Sequence, residues 1–252
     1  MLAKSQLSVL SKKYKINESV ILREYIQILV LDKIYSFNNC QNIFFKGGTC
    51  IHLIYGGKRF SEDLDFTVNM GEKEFLEFIE QPFKELEKEN EFIIKENKSI
   101  FGKSFLIKYI NDLVRGDVFI SLDFSFGEKV ISPQKNILQT DLPVILNNYI
   151  YCLSKEEIVA EKIRAILTRD KGRDYYDLWY LLASGVEINK DMINKKMNYY
   201  NKEFSEKILK DKIDKFNKRD FILDLSPFVD INTRDRLGDI YEYIKDFLIN
   251  KV

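Results

Sequence analysis

Apolar and polar positions recur along this chain with two different periods, and the dominant period changes partway through. Residues 3 to 14 read as a short helix. A longer helix runs from Asn17, a good N-cap, to about Tyr35, with Ile21, Tyr25, Ile28, Leu29 and Ile34 at helical spacing. Ile43-Phe44-Phe45 is a short β-type run ending at Lys46-Gly47-Gly48-Thr49. The glycine pair opens a predicted helix, Thr49 to Tyr55, that Gly56-Gly57 closes. Leu64 to Val68 alternates as a strand does, and Glu72 to Glu89 is a charged amphipathic helix that the pattern interrupts near Pro82. Three β-type runs follow: Glu91 to Ile94, Ser104 to Ile110 and Val118 to Phe126. In the last, Val118, Ile120, Leu122 and Phe124 share one face, and Phe119, Ser121, Asp123 and Ser125 the other. From about Ser154 helix follows helix to Val252, so an α/β half to about residue 150 precedes an all-helical half. There is no internal repeat and no obvious flexible linker.

Composition narrows the function classes. At 45% hydrophobic, 31% charged and 13% aromatic residues, the chain reads as a folded, water-soluble protein. Lys+Arg and Asp+Glu both total 39, so no global basic field marks a nucleic-acid binder. No apolar run approaches the roughly 20 residues that span a bilayer. The charged N-terminal stretch is not read as a secretory signal. Three cysteines without a CxxC pair point to buried free thiols in a reduced, cytoplasmic setting. The single histidine, His52, lies in the apolar CIHLIYG stretch and reads as a satisfied helix residue; multi-histidine zinc sites are excluded. Any metal is then a hard ion held by carboxylates: Mg²⁺, Mn²⁺ or Ca²⁺. Charge is uneven in the second half, where Lys162 to Arg219 carries 15 Lys and Arg against 9 Asp and Glu. That surplus is either a solvated helix face or a local phosphate-binding surface.

Three features line up in the first half. Gly47 and Gly48 sit at a strand-to-helix turn, where the missing Cβ atoms let a ligand approach the backbone and the first helical N–H groups favour an anion. Thr49 adds a hydroxyl. Asp63 and Asp65 stand two apart on a strand, so their carboxylates share a face and call for a cation. Asp123 is either a solvent-facing acid beside Ser121 and Ser125 or a third carboxylate meeting the pair across neighbouring strands. Three converging carboxylates outline a two-metal site for phosphoryl transfer. Neither a P-loop nor a GxGxxG fingerprint is present.

The stretch FFKGGTCIHLIYGGKRFSEDLDFTV resembles the signature of the nucleotidyltransferase superfamily with a polymerase-β-like core. More narrowly, KGGT followed by RFSEDLDF is similar to the AbiEii toxin family, which includes the MenT toxins of type IV toxin–antitoxin and abortive-infection systems. EKIRAILTRDKGRDYYDLWYLL, Glu161 to Leu182, resembles that family's C-terminal motifs. The resemblance implies an α+β fold: an N-terminal nucleotidyltransferase mixed sheet flanked by helices over residues 1–150, then a helical domain over 151–252. It implies that Gly47, Gly48 and Thr49 hold the triphosphate, and that Asp63, Asp65 and Asp123 bind Mg²⁺ or Mn²⁺. Asp123 would bind the second metal or help deprotonate the acceptor. Lys162 would contact phosphate or leaving pyrophosphate, and Asp174 and Asp177 match the last motif, with Asp177 the first choice for a catalytic role.

Several of these residues have a second reading. Lys162 borders the apolar stripe of Ile158, Ile163, Ile166 and Leu167, and either snorkels to solvent or points into an interdomain cleft. Arg173, Asp174 and Asp177 by themselves suggest a salt-bridge cluster, and Tyr175, Tyr176, Trp179 and Tyr180 suggest core and cleft wall, with a stacking platform for a base as the secondary reading. Arg59 either anchors its loop to an acid such as Glu62 or, with Ser61, faces the triphosphate. The resemblance further implies a toxin that moves a nucleotide from a nucleoside triphosphate to RNA, foremost the tRNA 3′ end, releasing pyrophosphate, with a cognate antitoxin as partner. A small-molecule or protein acceptor, or a nucleotide-binding module without turnover, is the alternative.

Overall fold

In the computed structural model of the protein, which describes residues 2–99 and 102–252, β1 (Ile43–Lys46) and β2 (Leu64–Val68) run antiparallel inside a seven-stranded sheet. The other strands are β3 (Phe92–Asn97), β4 (Lys103–Tyr109), β5 (Val118–Phe126), β6 (Pro133–Ile137) and β7 (Tyr149–Leu153), in the order β3-β4-β5-β2-β1-β7-β6. Parallel pairing joins β2 to β5 and β1 to β7, and the other neighbours are antiparallel, so the sheet is mixed.

Alternation decides which face is core. Val118, Ile120, Leu122 and Phe124 are buried, whereas Ser121, Asp123 and Ser125 are half-buried on the opposite face. On the apolar face the Phe66 ring lies 5.5 Å from Phe45 and stacks on Phe124 at 4.8 Å. Two helices serve this core. In α2 (Glu18–Tyr35) the Asn17 side chain accepts the Ser19 N–H and so caps the helix start. In α4 (Glu72–Glu89) Phe75 packs 4.6 Å from Phe124. The interruption expected at Pro82 does not occur: α4 runs through it. Proline removes one backbone donor, but Phe75, Ile79, Pro82, Phe83 and Leu86 form one buried stripe on both sides of the gap. Continuous burial of that stripe holds the helix together where the ladder bond is missing.

α1 (Lys4–Tyr14) packs along α2, and α3 (Gly47–Leu53) starts two residues before its expected position. β6 and β7 were not evident in the sequence pattern. β6 is a polar, largely exposed edge strand with no apolar face to read.

The chain divides into two compact units: residues through Gly56 with Phe60–Leu153, and Gly57–Arg59 with Ser154–Val252. The second unit holds α5 (Lys155–Thr168), α6 (Gly172–Ala183), α7 (Lys190–Asn198), α8 (Glu206–Lys215), α9 (Lys218–Leu225), α10 (Ile231–Asp235) and α11 (Leu237–Lys251). Ser154 caps α5 by accepting the Glu157 N–H. Its core includes Ile158, Ile163, Leu209, Phe221 and Leu248, with Tyr175 stacked on Phe216 at 4.0 Å. No helix among the described residues is long and apolar enough to cross a membrane.

Candidate active site

Gly47 follows the extended Lys46 and has φ +79°, a left-handed conformation that favours glycine. A Cβ at Gly47 would stand 2.2 Å from Asp65 Oδ2. The Asp65 carboxylate therefore lies directly against the glycine turn. Thr49 donates its hydroxyl to the Asp63 carbonyl, tying the first turn of α3 to the residue that enters β2. Gln27, buried on α2, donates to the Ser61 and Glu62 carbonyls at 3.2 and 2.8 Å and fixes the same loop from the other side. Its polar side chain in the apolar α2 stripe was the only sequence signal for this role.

The strand register brings the acids together. Asp65 on β2 is the direct partner of Asp123 on β5. Residues directly opposite on neighbouring strands share a face, with strands about 4.8 Å apart. Asp63 precedes Asp65 by two, and all three are half-buried. Asp123 thus stands directly beside Asp65, while Asp63 lies just outside β2, which begins at Leu64. In the same row Lys46 faces Asp65 and Ser104 faces Asp123. Among the described residues no three or more His, Cys, Asp or Glu side chains are gathered closely enough to hold a metal ion. The donor set nonetheless fits a hard divalent cation: carboxylate oxygens only, two in register, whose like charges a cation would relieve.

Lys162, Asp174, Asp177 and Arg59 come together in the helical unit as one buried ion-pair network. Arg59 grips Asp177 with Nε and Nη2, each 2.6 Å from a different carboxylate oxygen. Lys162 Nζ lies 2.8 Å from Asp174 Oδ1 and 2.7 Å from Asp177 Oδ2. Arg169 Nε completes it at 2.8 Å from Asp174. Burial alone would raise both aspartates. Lys162 and Arg169 around Asp174, and Arg59 and Lys162 around Asp177, outweigh it and hold both below the usual carboxylate range. Burial opposes the Lys162 charge, but Asp174 and Asp177 raise its pKa above the ordinary lysine value.

The cluster differs in membership from the local one suggested by sequence. Arg59, Lys162 and Arg169 join Asp174 and Asp177, and the Arg173 guanidinium lies 5.0 Å from the Phe228 ring centroid. The helix ends at Thr168 and restarts at Gly172, which turns Arg169 back onto Asp174. Arg59 pairs with Asp177, and Arg23 lies 3.7 Å from Glu62. His52 is a satisfied helix residue, its Nε2 2.9 Å from Glu24 Oε2.

Comparison with known proteins places the chain in a family and matches its fold. A family model described as nucleotidyl transferase AbiEii toxin, type IV TA system, matches residues 30–242. The uncharacterized protein aq_aa25 of Aquifex aeolicus (strain VF5) is 28% identical over 182 residues, covering 69% of this chain and 75% of that one. Among solved structures, MenT4, a nucleotidyltransferase toxin of Mycobacterium tuberculosis H37Rv, superposes with a TM-score of 0.66 at 15% identity, covering 98% of this chain and 90% of that one. JHP933 of Helicobacter pylori gives 0.60 at 18% identity, covering 94% of each chain. Both structures share the fold.

Proposed function

This chain belongs to the nucleotidyl transferase AbiEii toxin family of type IV toxin–antitoxin systems, and on that premise we propose that it transfers a nucleotide from a nucleoside triphosphate to the 3′ end of tRNA. The reading rests chiefly on one observation: Asp65 and Asp123 stand in register on adjacent strands, with the Asp65 carboxylate against the Gly47 turn. In the proposed reaction the acceptor hydroxyl oxygen bonds to the α-phosphorus, the bond from that phosphorus to the bridging oxygen breaks, and pyrophosphate leaves. Asp63, Asp65 and Asp123 would hold Mg²⁺ or Mn²⁺, which supplies charge neutralisation and orients the phosphates. Gly47 and Gly48 leave the turn bare for phosphate, Thr49 fixes the entry to β2, and Asp123 would bind the second metal or help deprotonate the acceptor. The half-buried Ser61 lies in the loop that Gln27 anchors and is assigned to the nucleotide-binding set.

For Lys162 and Arg59 the proposed part is recognition of phosphate or departing pyrophosphate, with Asp174 and Asp177 orienting the two cations. The basic surplus between Lys162 and Arg219 is the proposed tRNA-facing charge. A cognate antitoxin is the proposed protein partner, and the cytoplasm the proposed setting.

The test incubates the protein with Mg²⁺, total tRNA and each α-labelled nucleoside triphosphate in turn, beside Asp65→Ala. Label on tRNA with the wild-type protein alone is the expected result and names the base. Pyrophosphate release without labelled tRNA would move the acceptor to a small molecule or protein. Neither label nor pyrophosphate would overturn the proposed reaction.

A further inference from the structure

Lys46 occupies an unusual place for a lysine. It ends the apolar strand Ile43-Phe44-Phe45, directly precedes Gly47, and is only 7% exposed. Its Nζ lies 2.9 Å from Oε2 of Glu128, itself buried, two residues beyond the end of β5. Through the register, Lys46 faces Asp65 and Asp65 faces Asp123, so a lysine and two carboxylates form one row across β1, β2 and β5. Glu128 reaches back to the lysine end of that row.

Stability is a weak explanation for this pair. Burying an ammonium and a carboxylate costs desolvation that their attraction barely offsets, and an apolar residue of similar volume generally serves as well. What an apolar residue cannot supply is a fixed positive charge beside two metal-binding carboxylates. Such a charge repels a bare divalent cation. It attracts the same cation when the cation arrives carrying a polyphosphate, because the phosphate charges then outweigh the metal's. Glu128 sets how strongly that charge is felt, by holding the ammonium in place and partly neutralising it.

We propose that Lys46, anchored by Glu128, is a positioning residue that makes the Asp65–Asp123 site select a polyphosphate-bound divalent cation over the bare cation. This rests on the reading that these carboxylates bind a metal. It concerns only groups of the sheet unit and adds two residues outside the family-like site set.

The test measures Mn²⁺ binding to the full-length protein by the loss of the free Mn²⁺ electron paramagnetic resonance signal. It is run with and without a nucleoside triphosphate analogue whose α,β-bridge is a methylene and cannot be cleaved, each against a protein-free control that subtracts the Mn²⁺ bound by the analogue itself. The wild type is expected to bind Mn²⁺ weakly alone and at least about fivefold more tightly with the analogue, the low end of usual coupling between two ligands. Lys46→Met, which keeps the stem and removes the charge, is expected to bind bare Mn²⁺ more tightly and to lose most of that gain. Lys46→Arg is expected to retain it. Glu128→Gln removes one carboxylate partner of the ammonium, and bare Mn²⁺ is expected to bind more weakly than to the wild type. Equal gains in folded wild-type and Lys46→Met protein would overturn the proposal. Should Lys46→Met fail to give a cooperative melt, Glu128→Gln decides alone, and wild-type affinity for bare Mn²⁺ in that variant overturns it. Failure of the underlying metal reading looks different: the wild type would show no Mn²⁺ binding that Asp65→Asn removes.

Discussion

Gly47 and Asp65 are eighteen positions apart, yet neither side-chain choice makes sense without the other. A methyl group at Gly47 would fall 2.2 Å from Asp65 Oδ2, and the backbone there has φ +79°. Gly47→Ala is therefore expected to cost about 1–2 kcal/mol of stability, the usual penalty for a side chain in the left-handed region. The carboxylate tip can swing aside, which keeps that cost moderate. Swinging aside is what the chemistry cannot tolerate, so activity should fall far more than stability, by about 100-fold or beyond. Denaturant melts beside the labelled-nucleotide assay separate the two effects, and a proportionate small loss in both would refute the argument. The glycine pair, Asp63 and Asp65 were all readable from sequence because they lie within one short segment of fixed order. Gln27 and Glu128 were not: each makes its decisive contact with a residue 34 or more positions away. A lone glutamine or glutamate carries no periodic signature.

Elements were legible in proportion to how clearly one face is apolar. The β5 pattern predicted both its bounds and its buried face, and α2 announced itself through Asn17 and its periodic stripe. β6 failed that test, because an exposed polar edge strand looks like loop. α4 departs in the opposite direction, since a buried stripe that continues past a local breaker outweighs it. Proline in a helix interior costs about 3 kcal/mol relative to alanine. Its stiffness returns about 0.4–1 kcal/mol through the unfolded state, and its ring is buried here, so part of the remainder is lost packing. Pro82→Ala is thus expected to stabilise the protein by about 1 kcal/mol, read as a higher melting temperature at unchanged activity. A lower melting temperature would mean that the ring's packing, rather than the missing N–H, dominates at this position.

Across the whole chain, sequence order and structural membership part company at Gly57–Arg59, which lie between α3 and β2 yet belong to the helical unit. Arg59 meets Asp177 across 118 positions, a pairing no local pattern could reveal, although both residues stood out as candidates. The consequence is a definite pH dependence. Asp174 and Asp177 have folded pKa values below the ordinary aspartate value of about 3.9. Their contribution to stability is therefore fully present above that value and is lost as pH falls through the folded values. Lys162 is shifted upward, so its contribution is present below about pH 10.4 and is lost only above it. The network should accordingly support a plateau between these limits and an acid limb set by the two aspartates. Asp177→Asn leaves Arg59 and Lys162 buried with less compensation, and removing one partner from a buried pair typically costs about 3–5 kcal/mol. The variant should be less stable at neutral pH and should lose less further stability than the wild type on acidification from pH 5 to pH 3. Urea melts across that range measure both. Parallel acid limbs in the two proteins would show that carboxylates outside this network govern acid unfolding.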